Sequence, residues 1–304
     1  MGLDFIGDIH GHAAELEQLL FKLGYRKKGS VYAHPSRKVL FVGDYIDRGP
    51  QIRETLELVK GMCESGHATA LMGNHEYNAL CFHFQERGGG HLRKHQIKNI
   101  IQHYDTLKQF QNKQSEYEKY LEWFKTLPLY VETEGFRAVH ACWDQEQIDF
   151  LQATLQEQKL TDALIYDSVN VGTALNLAVE QTLKGKELAL PEGETYPDKD
   201  GTLRSSIRIK WWENPSQMTY RSISVEPNEK LPDLPLDAAD FPSQGYYGVT
   251  EKKVFFGHYW LKGTPSFQKT NVCCLDYSVA NQGKLVAYRY FGEGELDAQN
   301  LWYV

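Results

Sequence analysis

The sequence predicts a layered α/β fold, on two observations. Short apolar runs, Leu3-Asp4-Phe5-Ile6, Lys38-Val39-Leu40-Phe41-Val42, Thr69-Ala70-Leu71-Met72 and Lys253-Val254-Phe255-Phe256, each stop at a glycine, the signature of buried strands that end in tight turns. After the first run Leu16, Leu19, Leu20 and Leu23 recur at helical spacing, and after the second Ile52, Leu56 and Val59 do the same. Such stripes are the buried faces of amphipathic helices. With 304 residues and 41% apolar content the chain can bury a sizeable core.

Each predicted strand runs into a polar string. The first meets Gly7-Asp8-Ile9-His10-Gly11, the second Gly43-Asp44-Tyr45-Ile46-Asp47-Arg48-Gly49, the third Gly73-Asn74-His75-Glu76 and the last Gly257-His258. In layered α/β proteins the carboxyl ends of strands border the crevice where ligands bind. Aspartate, histidine and asparagine supply oxygen and imidazole donors that suit manganese, iron or zinc. Any one string reads equally as a polar turn or a helix cap. The ordered set of four, with complementary donors, points to a metal site.

The intervening segments continue the reading. Residues 86–125 are strongly polar and include Gly88-Gly89-Gly90, His91, His95 and His103; they are expected to form a helical cap with the glycines as a hinge or turn. His91 and His95 have the i, i+4 spacing of a metal pair, but no third ligand accompanies them, which favours solvated helix residues. Arg93 and Lys94 are weaker candidates for phosphate contact. Residues 161–184 read as helical. From 185 to 250 the chain is rich in proline and acidic residues without clear periodicity, the pattern of a lid or inserted loop. Within it Arg204-Ser-Ser-Ile-Arg208-Ile-Lys210-Trp211-Trp212 sets arginines beside tryptophans. Either Arg204 or Arg208 clamps a second phosphate while a tryptophan stacks on a ring, or the tryptophans anchor the lid and the arginines make ion pairs.

Together these strings resemble the signature of the calcineurin-like metallophosphoesterases, and specifically the phosphoprotein phosphatase branch with its bacteriophage-type phosphatases and symmetrical diadenosine tetraphosphatases. The branch marks are Asp47-Arg48-Gly49 and Glu76 after Asn74-His75; Val139-His140-Ala141 and Phe256-Gly257-His258-Tyr259-Trp260 match two further motifs. Trp260 stands where related nucleases and purple acid phosphatases carry a second histidine.

The resemblance implies a β-sandwich flanked by helices, four layers α/β/β/α, as one domain over residues 1–304 with helical and loop insertions at 86–125 and 185–250. It implies two divalent cations, manganese first with iron or zinc as alternatives. Asp8 and His10 would hold the first, Asn74, His140 and His258 the second, and Asp44 would bridge them. Arg48 and Asn74 would contact phosphate oxygens. His75 would protonate the leaving oxygen, with Asp47 on its other ring nitrogen, and Asp276 would orient His258. The implied activity is hydrolysis of phosphate monoesters, chiefly on phosphoproteins, by metal-bound hydroxide. An alternative is cleavage of dinucleoside polyphosphates of the diadenosine tetraphosphate type. A third reading, phosphate recognition without turnover, leaves Arg48, His75 and Asp47 without a purpose.

A net charge of −7 and a pI near 5.9 argue against general nucleic-acid binding, which favours a basic face. Cys63, Cys81, Cys142, Cys273 and Cys274 have no zinc-ligand spacing and read as reduced thiols. No leader or membrane-spanning run is visible, so a cytoplasmic protein with phosphorylated substrates is expected.

Overall fold

The computed structural model describes residues 2–86, 88–197, 201–236 and 246–304. The chain divides into two compact units, Met1–Leu183 with Lys252–Val304, and Lys184–Glu251.

The first unit contains β1 (Gly2–Ile6), β2 (Arg37–Phe41), β3 (Ala68–Ala70), β4 (Tyr130–Glu132), β5 (Phe136–Val139), β6 (Lys253–Phe256), β7 (Val272–Cys274), β8 (Asp276–Tyr277), β9 (Lys284–Tyr290) and β10 (Leu301–Tyr303), beside a hairpin of Arg26–Lys28 and Val31–Ala33. A six-stranded sheet runs β8-β9-β1-β2-β3, with β10 on β9, and a four-stranded sheet runs β7-β6-β5-β4. Strands β1, β2 and β3 are parallel to one another, as are β5, β6 and β7, whereas β9 is antiparallel to β1. Four of these six parallel strands, β1, β2, β3 and β6, carry the polar strings at their carboxyl ends.

The two sheets share one core. Phe5 pairs in register with Leu40 on β2 and Tyr288 on β9, and all three point into it because strand side chains alternate with period two. From the other sheet Phe255 stacks on Phe5 at 3.8 Å and Phe136 meets it edge-on at 5.0 Å. Asp4, in the middle of an apolar run, faces away from this core. It is fully buried and accepts from Arg37 Nε and Arg289 Nε, each at 3.0 Å to one of its oxygens, and from Tyr25 Oη at 2.8 Å. A buried carboxylate is tolerable when it is matched in this way.

The helices of this unit are α1 (Ala13–Lys22), α2 (Ile52–Glu64), α3 (Asn74–His83), α4 (Ile97–Gln109), α5 (Gln114–Phe124), α6 (Gln145–Thr154), α7 (Asp162–Ser168) and α8 (Ala174–Lys184), whose last residue opens the second unit. The apolar stripes of α1 and α2 are buried, and these helices pack on β9 and β3. The helical reading of 161–184 resolves into two helices, because the chain turns between Ser168 and Ala174 through Gly172 at φ 89°. Among the described residues no helix is long and apolar enough to cross a membrane.

The second unit has its own core of Leu188, Leu190, Ile207, Ile209, Tyr220, Ile223 and Leu231. Glu187–Ala189 pairs antiparallel with Ser206–Arg208. These strands of three residues are too short to print a period in the sequence, which is why 185–250 reads as loop. Trp211 and Trp212 are buried, and the Trp211 ring meets Trp212 and Tyr247 edge-on, each at 5.5 Å.

Candidate metal centre

Five strand ends converge in the first unit. Asp8 and His10 follow β1, Asp44 follows β2, Asn74 and His75 open α3 just after β3, His140 follows β5 and His258 follows β6. All seven side chains are buried. Two groups of donors lie close enough to hold an ion, His10 with Asp44 and His75, and Asp44 with His140 and His258, every donor atom within 4.8 Å of the others in its group. Asp44 belongs to both.

Hydrogen bonding fixes which atoms face inward. His10 donates from Nδ1 to the Ile46 carbonyl at 2.9 Å and His140 from Nδ1 to the Val42 carbonyl at 2.8 Å. A neutral ring that donates through one nitrogen presents a lone pair on the other. His140 Nε2 then faces Asn74 Oδ1 at 3.0 Å and Asp44 Oδ2 at 3.4 Å, while His10 Nε2 faces Asp44 Oδ2 at 3.6 Å. Acceptors are gathered against acceptors. In addition, Asp8 Oδ1 and His10 Nε2 are buried without a hydrogen-bond partner among the described residues. Divalent cations reconcile such a donor set, so the residues present fit a metal centre.

Electrostatics agree. Burial pushes the Asp8 carboxyl well above the ordinary range, and the nearby Asp276 and Asp44 charges add to it. For His10, burial and then the neighbouring His75 lower the imidazole pKa to about 3, which keeps the ring in its neutral, ligating form. Burial works against the Asp44 charge, yet the facing His140 and His75 rings in their protonated forms hold its carboxyl well below the usual value, and Asp44 raises the His140 pKa in return, so without cations imidazolium balances the carboxylate.

His75 is turned toward a separate partner. Its Nδ1 donates to Asp47 Oδ2 at 2.5 Å, and its backbone N–H donates to Asp44 Oδ1 at 3.0 Å. Burial disfavours the imidazolium, but Asp44 and Asp47 outweigh burial and raise the His75 pKa. Arg48 is exposed at the rim and its guanidinium lies over the Trp260 ring at 4.1 Å, a stack that desolvation of one face strengthens.

Several site residues adopt a left-handed backbone: His10 (φ 46°), Asp44 (57°), Asp47 (67°), Arg48 (68°), His258 (75°) and Trp260 (52°). Each costs about 1 kcal/mol or more and persists only where the surroundings over-determine it. Glu76 supplies part of that restraint. Its carboxylate accepts from the backbone N–H groups of Gly73 (3.0 Å), Asp44 (2.9 Å) and Tyr45 (2.8 Å), tying the β2 loop to the start of α3.

The remaining expected residues lie at varied distances from the donor groups. Asp276 is buried and accepts from the Trp260 N–H at 2.7 Å and the Ser278 N–H at 2.9 Å, so it holds the loop that follows His258. Arg93 is engaged by Asn78 Oδ1 at 2.9 Å and Gln102 Oε1 at 2.7 Å. His91 and His95 precede α4 and stack ring on ring at 3.9 Å. Arg204 and Arg208 belong to the second unit, where Arg208 is exposed and pairs in register with Glu187.

The sequence reading gave no role to His103, Thr106 and Trp260. The outward face of α4 carries exposed Ile97, Ile101 and Tyr104, whereas its buried residues include His103 and Thr106. That inverted amphipathicity is the signal that a polar face looks inward.

A family model described as calcineurin-like phosphoesterase matches residues 1–214. The chain belongs to that family. Calcineurin-like phosphoesterases use a dimetal centre. A relative in Oceanobacillus iheyensis, bis(5'-nucleosyl)-tetraphosphatase PrpE, asymmetrical, is 35% identical over 142 residues, covering 46% of this chain and 55% of that protein. The protein of the same name in Bacillus thuringiensis is 30% identical over 173 residues, covering 56% and 67%. The chain thus spans about half to two thirds of the length of these curated relatives. A protein serine/threonine phosphatase from Saccharomyces cerevisiae aligns over 100% of this chain and 79% of its own, at 15% identity and a TM-score of 0.51, a likeness of fold.

Proposed function

We propose that the chain hydrolyses dinucleoside polyphosphates of the bis(5'-nucleosyl)-tetraphosphate class at a two-cation centre. The carrying observation is the sharing of Asp44 between two buried donor groups, and the relatives' names favour this substrate class over phosphoproteins. In this reading Asp8, His10 and Asp44 hold one cation and Asp44, Asn74, His140 and His258 the other. Manganese is the first choice for a set of imidazole, carboxylate and amide oxygen without thiolate. Bound cations supply charge neutralisation for phosphate oxygens and acidify water.

The chain's own residues do the rest. Arg48, braced on Trp260, binds phosphate oxygens through its planar fork. His75 Nε2 delivers a proton to the leaving oxygen, and Asp47, accepting from Nδ1, fixes the ring orientation and favours its charged form. That dyad also supports a second reading, phosphate monoester hydrolysis on a protein, since an alkoxide leaving group needs a positioned acid more than a nucleotide phosphate does.

The test is hydrolysis of diadenosine tetraphosphate, a phosphoserine peptide and p-nitrophenyl phosphate by metal-stripped protein, titrated with manganese, beside Asp44→Asn. Manganese-dependent cleavage of the dinucleotide above the other two, lost in the variant, is expected. Products ATP and AMP rather than two ADP would extend the asymmetry in the relatives' names to this chain. Preference for the peptide would move the assignment to a phosphoprotein phosphatase. Two tightly bound ions without turnover of any substrate would leave phosphate recognition.

A further inference from the structure

We propose that His103 is a positioning residue for the His75–Asp47 pair, acting through Asp47; this rests on the hydrolytic reading above. The Asp47 carboxylate divides its acceptors. Oδ2 accepts from His75 Nδ1, and Oδ1 accepts from His103 Nδ1 at 2.7 Å and from Thr106 Oγ1 at 2.6 Å. Thr106 Oγ1 in turn accepts from the Asp47 backbone N–H at 3.0 Å. On the far side Tyr117 Oη lies within hydrogen-bond distance of His103 Nε2, at 3.0 Å. A carboxylate oxygen only accepts, so His103 must carry its proton on Nδ1, and Tyr117 braces the ring at its other nitrogen.

His75, Asp47, His103, Thr106 and Tyr117 are all buried. Two neighbouring turns of α4 and one residue of α5 thus grip a carboxylate in the loop after β2. A carboxylate with one oxygen pinned twice cannot rotate about its Cβ–Cγ bond without leaving a buried donor unsatisfied. The direction in which His75 presents Nε2 is therefore set from behind by α4. Supporting partners of this kind hold a reacting group within the narrow tolerance that proton transfer demands.

Two variants separate positioning from packing. His103→Leu keeps the volume and removes the donor, whereas His103→Asn places an amide N–H near the position of Nδ1. Loss of a positioned acid shows most with poor leaving groups, so with manganese-loaded protein kcat on phenyl phosphate should fall roughly tenfold to a hundredfold in His103→Leu. On 2,4-dinitrophenyl phosphate, whose leaving group needs no proton, kcat should change less than about threefold. KM should stay put for both, and His103→Asn should recover most of the loss. Equal losses on the two esters, or none on either, would overturn the proposal.

A second readout needs no turnover. In zinc-loaded protein with 15N-labelled histidine, the ring N–H of His75 should resonate at low field and shift in His103→Leu; an unmoved signal would overturn the coupling. Wild-type protein inert on both esters and on diadenosine tetraphosphate alike would overturn the hydrolytic reading, while the spectrum decides the His103 contact separately.

Discussion

Glu76 shows how much of the site is made by a residue outside both donor groups. A buried carboxylate surrounded by backbone N–H groups has no acceptor-facing neighbour to spare. Glu76→Gln would turn an amide NH2 toward at least one of those donors, leaving a buried N–H unsatisfied at a cost of about 1–3 kcal/mol. Thermal unfolding of the metal-free variant should register that loss, and manganese affinity should fall with it because Asp44 loses its backbone anchor. His75 predicts the opposite pattern. His75→Asn should keep cation content and phosphate affinity while turnover of a monoester falls by about 10²–10⁴, the usual contribution of a general acid. Cation stoichiometry by elemental analysis, set beside kcat, separates the two.

Strand ends are the element that builds the centre, and their glycines are set by close approach. A Cβ on Gly257 would lie 1.8 Å from Asp8 Oδ1, and one on Gly43, at φ 115°, would lie 2.7 Å from the His140 ring. Gly257→Ala should therefore displace Asp8 rather than unfold β6, since the collision is with side chains and not backbone, Asp8 foremost and Val42 Cγ2 at 3.1 Å. Weaker retention of one of two manganese ions, measured by calorimetric titration with far-ultraviolet circular dichroism unchanged, is expected; full retention would show that Asp8 is not needed for binding. Helix α4 illustrates a different element-level choice. It buries His103 and Thr106 and exposes Ile97 and Ile101, so its inner face meets the rest of the unit through hydrogen bonds, from His103 and Thr106 to Asp47 and through Gln109 to Ile52 and Gly49.

At the scale of the whole molecule the chain is two compact units with separate cores. Among the described residues both donor groups lie in the first, and the second has a core of only a few aliphatic and aromatic side chains. A unit this small buries little apolar surface and is marginal on its own. Calorimetry should resolve two transitions, with chelation of the cations lowering the upper one and leaving the lower one in place, because ligands stabilise only what they bind. A single transition that moves as a whole would show that the units unfold together.

The donor set was largely legible in the sequence because most of the expected donors fall within a few residues of a strand end, and a strand that stops at glycine fixes locally where the next side chains go. Asp8, Asp44 and His258 announce themselves in this way. The two-helix break at 168–174 and the short strands of 187–208 did not, since neither is long enough to print a period. His103 reaches Asp47 across 56 residues of sequence, and Asp276 meets the Trp260 N–H across 16. Contacts of that kind depend on how a helix or hairpin packs once the sheets have closed. The chain by itself determined the family, the donor types and the strand ends that carry them. Only the tertiary structure decided that those ends converge on Asp44, and that a helix with a polar inner face stands behind the His75 dyad, because convergence is a property of packing and not of any one segment.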